Sequence, residues 1–271
     1  MEKNEIRKFQ KKVLEFYKKN GRHTLPWRHT KDPYCILVSE LMLQQTQVER
    51  VIPKYELFMK EFPSAAVLAA APLSKVLTLW SGLGYNRRAR FLHQTARVIE
   101  REYSGVFPED VDTLKTLPGI GPYTAGAIAV FAFNTPAVLI ETNIRSVYLD
   151  EFFPDKEAVY DREILPYIEA TMTTITPREW YAALMDYGTY LKKTRKNPSK
   201  KSAHHTKQSA FKGSLREVRG AIVPLLFERS KSTHVLIKET QFSKELVTKA
   251  LQGLTRDGLV EKEGRMWKLA H

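Results

Sequence analysis

The sequence runs to 271 residues, 43% hydrophobic and 27% charged, with 43 Lys and Arg against 30 Asp and Glu for a formal charge of +13. This is a globular mixture that excludes general disorder, leaves room for one large domain plus a small one, and favours polyanionic partners. One cysteine, Cys35, excludes a disulfide framework and any multi-thiolate zinc or iron–sulfur site built within the chain.

The first stretch, MEKNEIRKFQKKVLEFYKKN, alternates charged and apolar residues at helical spacing and has none of the apolar character of a secretory signal. No later run has the composition of a membrane span, so a cytoplasmic protein without membrane contact, nucleoid-associated in a bacterium, is expected. Apolar residues at three- and four-residue spacing dominate as far as residue 190. Breaks fall at Pro26, Asp32-Pro33, Pro63, Pro72, Gly82, Gly84, Pro118 to Pro122 and Pro154. Roughly ten helices fit between them, with no series of alternating strands, which predicts an all-α body.

Asp32 can cap, and Pro33 can open, a helix running through Gln45. Helical spacing then sets Glu40 beside Ile36, Leu37 and Leu43, where partial burial opposes ionisation and helps the carboxyl keep a proton for donation near neutral pH. The competing reading is a Glu on a solvated helix face. Further on, TLPGIGPYTAGAIAVFAF sets a Pro-Gly-x-Gly turn between two helical runs, its glycines permitting positive φ and close backbone approach. Amide hydrogens at the start of the second helix suit a phosphate oxygen without reading any base, although a tight helix–helix turn would look similar.

Residues 190–220 carry ten basic side chains against a single acid, Glu217. With Pro198 and several serines the segment 191–213 reads as a basic linker that can also contact phosphate. His204 and His205 lie in it without carboxylates or thiols, so no metal site is expected. Beyond it, SLREVRGAIVPLLFE, THVLIKET and SKELVTKALQGLTRDG read as three helices, and LVEKEGRMWKLA as a hairpin turning at Gly264. Residues 214–271 therefore resemble a winged helix-turn-helix domain. Lys244, Lys249 and Arg256 on its third helix suit phosphates, while a repair-protein contact is the other use of such a module.

LPGIGPYTAGAIA resembles the hairpin of the helix-hairpin-helix glycosylases that include endonuclease III and the MutY adenine glycosylases. LPWRHTKDPYCILVSELMLQQTQV and LWSGLGYNRRARFLH resemble MutY-type segments in the same order, so the similarity spans residues 20–190. It implies an all-α helix-hairpin-helix DNA glycosylase fold of two helical lobes over residues 1–190, acting as a monomer on duplex DNA with a mispaired or damaged base.

The resemblance assigns Glu40 as the acid that protonates the departing base. It puts Glu141, in LIETNI, where the family has an aspartate that faces the positively charged sugar, and Asn143 beside it, where a helix-capping role is the alternative. Tyr123 stands where bifunctional relatives carry an attacking lysine, which implies a monofunctional enzyme. Extrusion of the target nucleotide leaves a gap in the stack. Gln45 would fill it, Tyr85 would intercalate next to the opposite base, and Trp27 and Arg28 would lie near the extruded nucleotide, with core packing the alternative for Trp27. Leu117, Gly119, Gly121 and Thr124 of the hairpin, and Arg87 with Arg88 and Arg90, are the remaining DNA-binding candidates.

Besides Glu141 in place of the family aspartate, three further departures from the family pattern stand out. The four cluster cysteines that follow YAALMDYG in MutY-type enzymes are replaced by LKKTRKNPSKKSAHHTKQS, so no cofactor is implied. The family's carboxy-terminal domain for 8-oxoguanine is replaced by the winged helix, and Asn86 follows Tyr85 where a second tyrosine is common. Adenine opposite 8-oxoguanine or guanine is the expected substrate. Thymine or uracil in a mismatch, and a non-catalytic lesion sensor, are the alternatives.

Overall fold

The computed structural model describes residues 2–172, 176–206 and 210–270. Lys207, counted above in the basic segment, lies outside the described residues. The chain forms two units, Met1–Ile36 with Pro108–Thr116 and Ile120–Lys207, and Leu37–Phe107 with Leu117–Gly119 and Gln208–His271.

The first unit is helical: α1 (Lys3–Asn20), the first turn of α2 (Pro33–Leu43), α7 (Val111–Thr116), α8 (Pro122–Ile128), α9 (Thr142–Phe152), α10 (Asp161–Thr171) and α11 (Pro177–Thr194). Aromatic rings meet in its core. Phe9 of α1 meets Tyr148 of α9 at 5.5 Å and stands edge-on to Trp180 of α11 at 5.7 Å between ring centres. Helix α9 packs close along α11 because Gly188 has no side chain: a Cβ there would overlap the backbone of Asn143. A five-residue π turn (Ala129–Phe133) follows α8. The end of the basic run is tied down, with Val159 pairing with Ser202 and Lys201 Nζ donating to the carbonyls of Phe153, at 3.2 Å, and Pro154.

The second unit opens with the rest of α2 and continues through α3 (Val48–Glu61), α4 (Ala65–Ala70), α5 (Leu73–Trp80) and α6 (Arg87–Tyr103). Helix α2 stops at Leu43 and not at Gln45, because Gln45 takes a φ of +55° that ends the helical path. In the same unit α12 (Leu215–Leu225), β1 (Lys231–Ser232), α13 (Thr233–Thr240), α14 (Lys244–Arg256), β2 (Val260–Glu263) and β3 (Met266–Leu269) follow in the order of a winged helix. The sheet is antiparallel in the order β1-β3-β2, with Lys231 opposite Trp267 and Val260 opposite Leu269. Ser214, Ser232 and Ser243 cap the three helices through their hydroxyls. Strand β1 had no sequence signal, since two residues carry no alternation.

Candidate functional site

Within the first unit the carboxylate of Glu141 is the N-cap of α9: Oε1 accepts from the amides of Asn143 at 2.7 Å and Ile144 at 2.9 Å. The positive end of a helix accommodates a negative side chain well. The Asn143 amide donates to the other oxygen, Oε2, at 3.2 Å, and its carbonyl oxygen accepts from Lys192 Nζ at 3.2 Å. Glu141, Asn143 and Lys192 thus form one chain of hydrogen bonds. Asn143 is the second residue of α9 and not its cap, because the longer Glu141 side chain reaches back over the helix end. In the sequence nothing sets Lys192 apart from the other lysines of the basic run.

The hairpin joins α7 to α8 through residues 117–121. Only one of its glycines needs positive φ: Gly119 sits at +73°, and a Cβ there would also overlap the Phe91 ring, whereas Gly121 has φ −88° and open space around it. Thr95 Oγ1 donates to the Pro118 carbonyl at 2.8 Å, fixing the turn from α6. Leu117 and Thr124 are buried, Tyr123 is half-buried, and Gly121 is exposed at the start of α8.

Trp27 is buried in a short turn, Pro26–Arg28. Arg28 donates to Tyr17 Oη at 3.3 Å and to Asp186 Oδ1 at 3.2 Å, while Asp186 also accepts from Arg22 Nε at 2.7 Å. Trp27 and Arg28 line a cleft of about 450 Å³ with Phe131, Asn134 and Arg178. Tyr123, Glu141 and Asn143 are not among the residues that line it.

The second unit holds Glu40, Gln45, Tyr85 and Arg87. Glu40 lies on a helix whose Leu37, Val38, Leu41 and Met42 are all buried, and is itself only 8% exposed, the desolvated setting expected for it. Gln45 and Tyr85 both occupy left-handed turns, Tyr85 at φ +47° and 38% exposed.

Arg88, expected to meet phosphate or solvent, is buried and spent internally. Its guanidinium donates to the carbonyls of Leu41 (2.6 Å), Met42 (2.9 Å), Gln44 (2.6 Å), Leu83 (3.3 Å) and Gly84 (3.0 Å). Burial pushes the guanidinium down to about 10, so it stays a cation at neutral pH. Arg90 likewise turns inward, to the Asp257 carbonyl at 3.1 Å, and Arg87 lies over the Phe91 ring at 4.8 Å. Arg216 Nη1 donates to the Tyr85 hydroxyl at 2.8 Å.

Among the described residues no cluster of three or more His, Cys, Asp and Glu is placed to hold a metal ion, and no helix is long and apolar enough to cross a membrane. An iron–sulfur cluster does not fit this chain. Its one thiol, Cys35, sits half-buried on α2, and the residues after α11 offer lysines, a serine bridge and two exposed histidines instead of thiolates.

A family model described as "HhH-GPD superfamily base excision DNA repair protein" matches residues 38–187. An adenine DNA glycosylase of Buchnera aphidicola is 40% identical over 184 residues, 66% of this chain and 52% of that protein. One from Mycolicibacterium smegmatis is 42% identical over 178 residues, 65% of this chain and 60% of that protein. The chain thus spans little more than half the length of these relatives. A thermostable thymine-DNA glycosylase structure superposes with TM-score 0.60 at 26% identity, covering 68% of this chain and 86% of that one. A non-covalent endonuclease III–DNA complex gives TM-score 0.55 at 20% identity over 72% of this chain and 87% of that one, a likeness of fold alone. This chain belongs to the HhH-GPD superfamily of base excision DNA repair proteins.

Proposed function

We propose that the chain is a monofunctional DNA glycosylase that hydrolyses the N-glycosidic bond of adenine opposite 8-oxoguanine or guanine in duplex DNA. The observation that carries this reading is the identity of 40% and 42% to two proteins named adenine DNA glycosylase. The family match spans Glu40, Gln45, Tyr85, Tyr123, Glu141 and Asn143.

Glu40 gives its proton to the departing base, and Glu141 remains ionised to balance the positive charge that builds on the sugar. Water then supplies hydroxide to the anomeric carbon, its other proton returns Glu40 to the acid form, and an abasic site is left. The hydrogen bonds from the α9 amides and Asn143 support the second role, since they hold the carboxylate in one orientation. Tyr123 has no amine to attack the sugar, so the strand stays intact. Gln45 fills the vacated stack, Tyr85 intercalates beside the opposite base, and Trp27 and Arg28 serve the extruded nucleotide. Gly119 and Gly121 bring the hairpin backbone to a phosphate, with Leu117 and Thr124 acting through their main chain because their side chains are buried. Arg87 contacts phosphate nearby. Residues 1–190 carry the chemistry, 191–213 form a basic connection, and 214–271 add DNA contacts to a monomeric enzyme that works in the cytoplasm.

The test is base release from duplexes containing A:8-oxoguanine, A:G, T:G or U:G, with and without alkali and with borohydride trapping, beside a Glu40→Gln control. Alkali-dependent breaks at A:8-oxoguanine or A:G that the variant abolishes support the proposal. Cleavage at T:G alone favours the second reading, which the likeness to a thymine-DNA glycosylase raises. Binding without release makes the protein a lesion sensor, and a borohydride-trapped adduct removes the monofunctional assignment and points to Lys192.

A further inference from the structure

The winged-helix segment is seated on the same unit as the Tyr85 turn at two separate places. Arg90 of α6 donates to the Asp257 carbonyl beyond α14, and Gly258, at φ +61°, leaves room for that guanidinium, since a Cβ there would overlap it. Arg219 of α12 pairs with the Asp257 carboxylate. The second place is the one with consequences: Arg216, in the first turn of α12, reaches Tyr85, its Nη1 2.8 Å from the hydroxyl and its Cζ 6.0 Å from the ring centre. Tyr85 is a partly exposed aromatic on a left-handed turn, with the Arg88 Cζ 5.6 Å from its ring centre. A partly exposed aromatic beside a guanidinium is equipment for holding an unstacked base and reading its edge.

We infer that Arg216 recognises the base opposite the excised one, by directing two N–H groups at the O6 and N7 acceptors of a guanine that lies against Tyr85. The inference rests on the reading of the chain as a base-excising enzyme whose Tyr85 enters the stack on the opposite-base side. The chemistry selects the base. Guanine presents two adjacent acceptors on its major-groove edge, adenine one acceptor and one donor, cytosine a donor and thymine one acceptor, and the planar fork of arginine matches only the first. 8-Oxoguanine carries a hydrogen on N7 and keeps the O6 acceptor, so this contact favours guanine over its oxidised form. A residue of the carboxy-terminal segment thereby becomes part of substrate selection.

The experiment is equilibrium binding of the full chain to duplexes with a tetrahydrofuran abasic analogue opposite guanine, 7-deazaguanine or thymine, for wild type, Arg216→Ala and Arg216→Lys. Wild type is expected to bind the guanine duplex roughly tenfold tighter than the other two. Arg216→Ala should bring all three to one affinity, and Arg216→Lys should lose the ratio while keeping most of the affinity for thymine. Equal weakening of all three duplexes by Arg216→Ala, an unchanged ratio, or no binding to any duplex overturns the inference. Adenine release from A:G by the same wild-type preparation tests the enzyme reading separately. Release without the ratio sinks only this assignment, and the ratio without release sinks only the other.

Discussion

Arg88 Nη1 donates to the carbonyl of Gln44 from 2.6 Å, one residue before the left-handed Gln45. The same guanidinium donates to the Gly84 carbonyl from 3.0 Å, one residue before the left-handed Tyr85. One buried cation therefore braces both turns that carry the residues proposed to enter the DNA stack.

Replacing it should reveal that brace. Arg88→Leu strands a set of buried carbonyls, and a loss of about 3 kcal/mol is expected, read as a lower urea midpoint. Arg88→Lys keeps the charge but not the fork, so it should recover part of that stability while DNA affinity stays low. A leucine variant that unfolds at the wild-type urea concentration would show that the turns hold themselves.

Nothing in the string Arg87-Arg88-Ala89-Arg90 tells these arginines apart. Helical spacing turns Arg88 toward the interior, but a buried arginine is rare enough that sequence reasoning defaults to solvent. Glu40 was legible for the opposite reason, because Ile36, Leu37 and Leu43 at helical spacing around it are apolar and a carboxylate among them stands out. The hairpin was legible as a turn, yet only Gly119 has the backbone conformation that the motif suggested for both glycines. Lys192 and Arg216 were not legible, since each owes its place to a partner 49 or 131 residues away in sequence. Local pattern fixes elements and caps, while long-range pairs depend on how the helices pack.

The two hairpin glycines separate folding from binding. Gly119→Ala must place a side chain at φ +73° against Phe91, and should cost about 2 kcal/mol, seen as a lower melting temperature. Gly121→Ala meets no atom within 4 Å and keeps φ at −88°, so stability should change by less than about 0.5 kcal/mol. If the turn approaches a phosphate, Gly121→Ala should still weaken duplex binding roughly tenfold, as measured by anisotropy at fixed salt. Wild-type affinity in that variant removes the phosphate contact from the hairpin.

Glu141 serves its helix and, by the proposal, the sugar. A glutamine there keeps an oxygen for the amides of Asn143 and Ile144, so Glu141→Gln should stay within about 1 kcal/mol of wild type. Single-turnover base release should fall roughly a hundredfold, because the amide cannot balance a positive sugar. Glu141→Ala removes the cap as well and should cost about 1 kcal/mol more. Undiminished release by Glu141→Gln would reduce the residue to a helix cap.

His93 gives the second unit a dependence on pH. The ring is 4% exposed on α6, and its Nε2 lies 2.9 Å from the carbonyl of Ala71 at the end of α4. Burial, helped by the nearby charge of Arg97, pushes the imidazole below its ordinary 6.5. The unfolded chain then takes up a proton near pH 6.5 that the folded chain still refuses. The unfolded state binds more protons in that window, so stability rises with pH through it and is lost as the solution is acidified from 6.5 toward the folded value, with little change above. The slope from one group cannot exceed about 1.4 kcal/mol per pH unit. Urea unfolding at pH 7.5, 6.5 and 5.5, values bracketing the ordinary imidazole range, should show wild type losing stability on acidification while His93→Gln, whose amide can still donate to Ala71, loses less. Parallel curves for the two proteins would mean that other groups carry the acid sensitivity and that the buried imidazole titrates as freely as an exposed one.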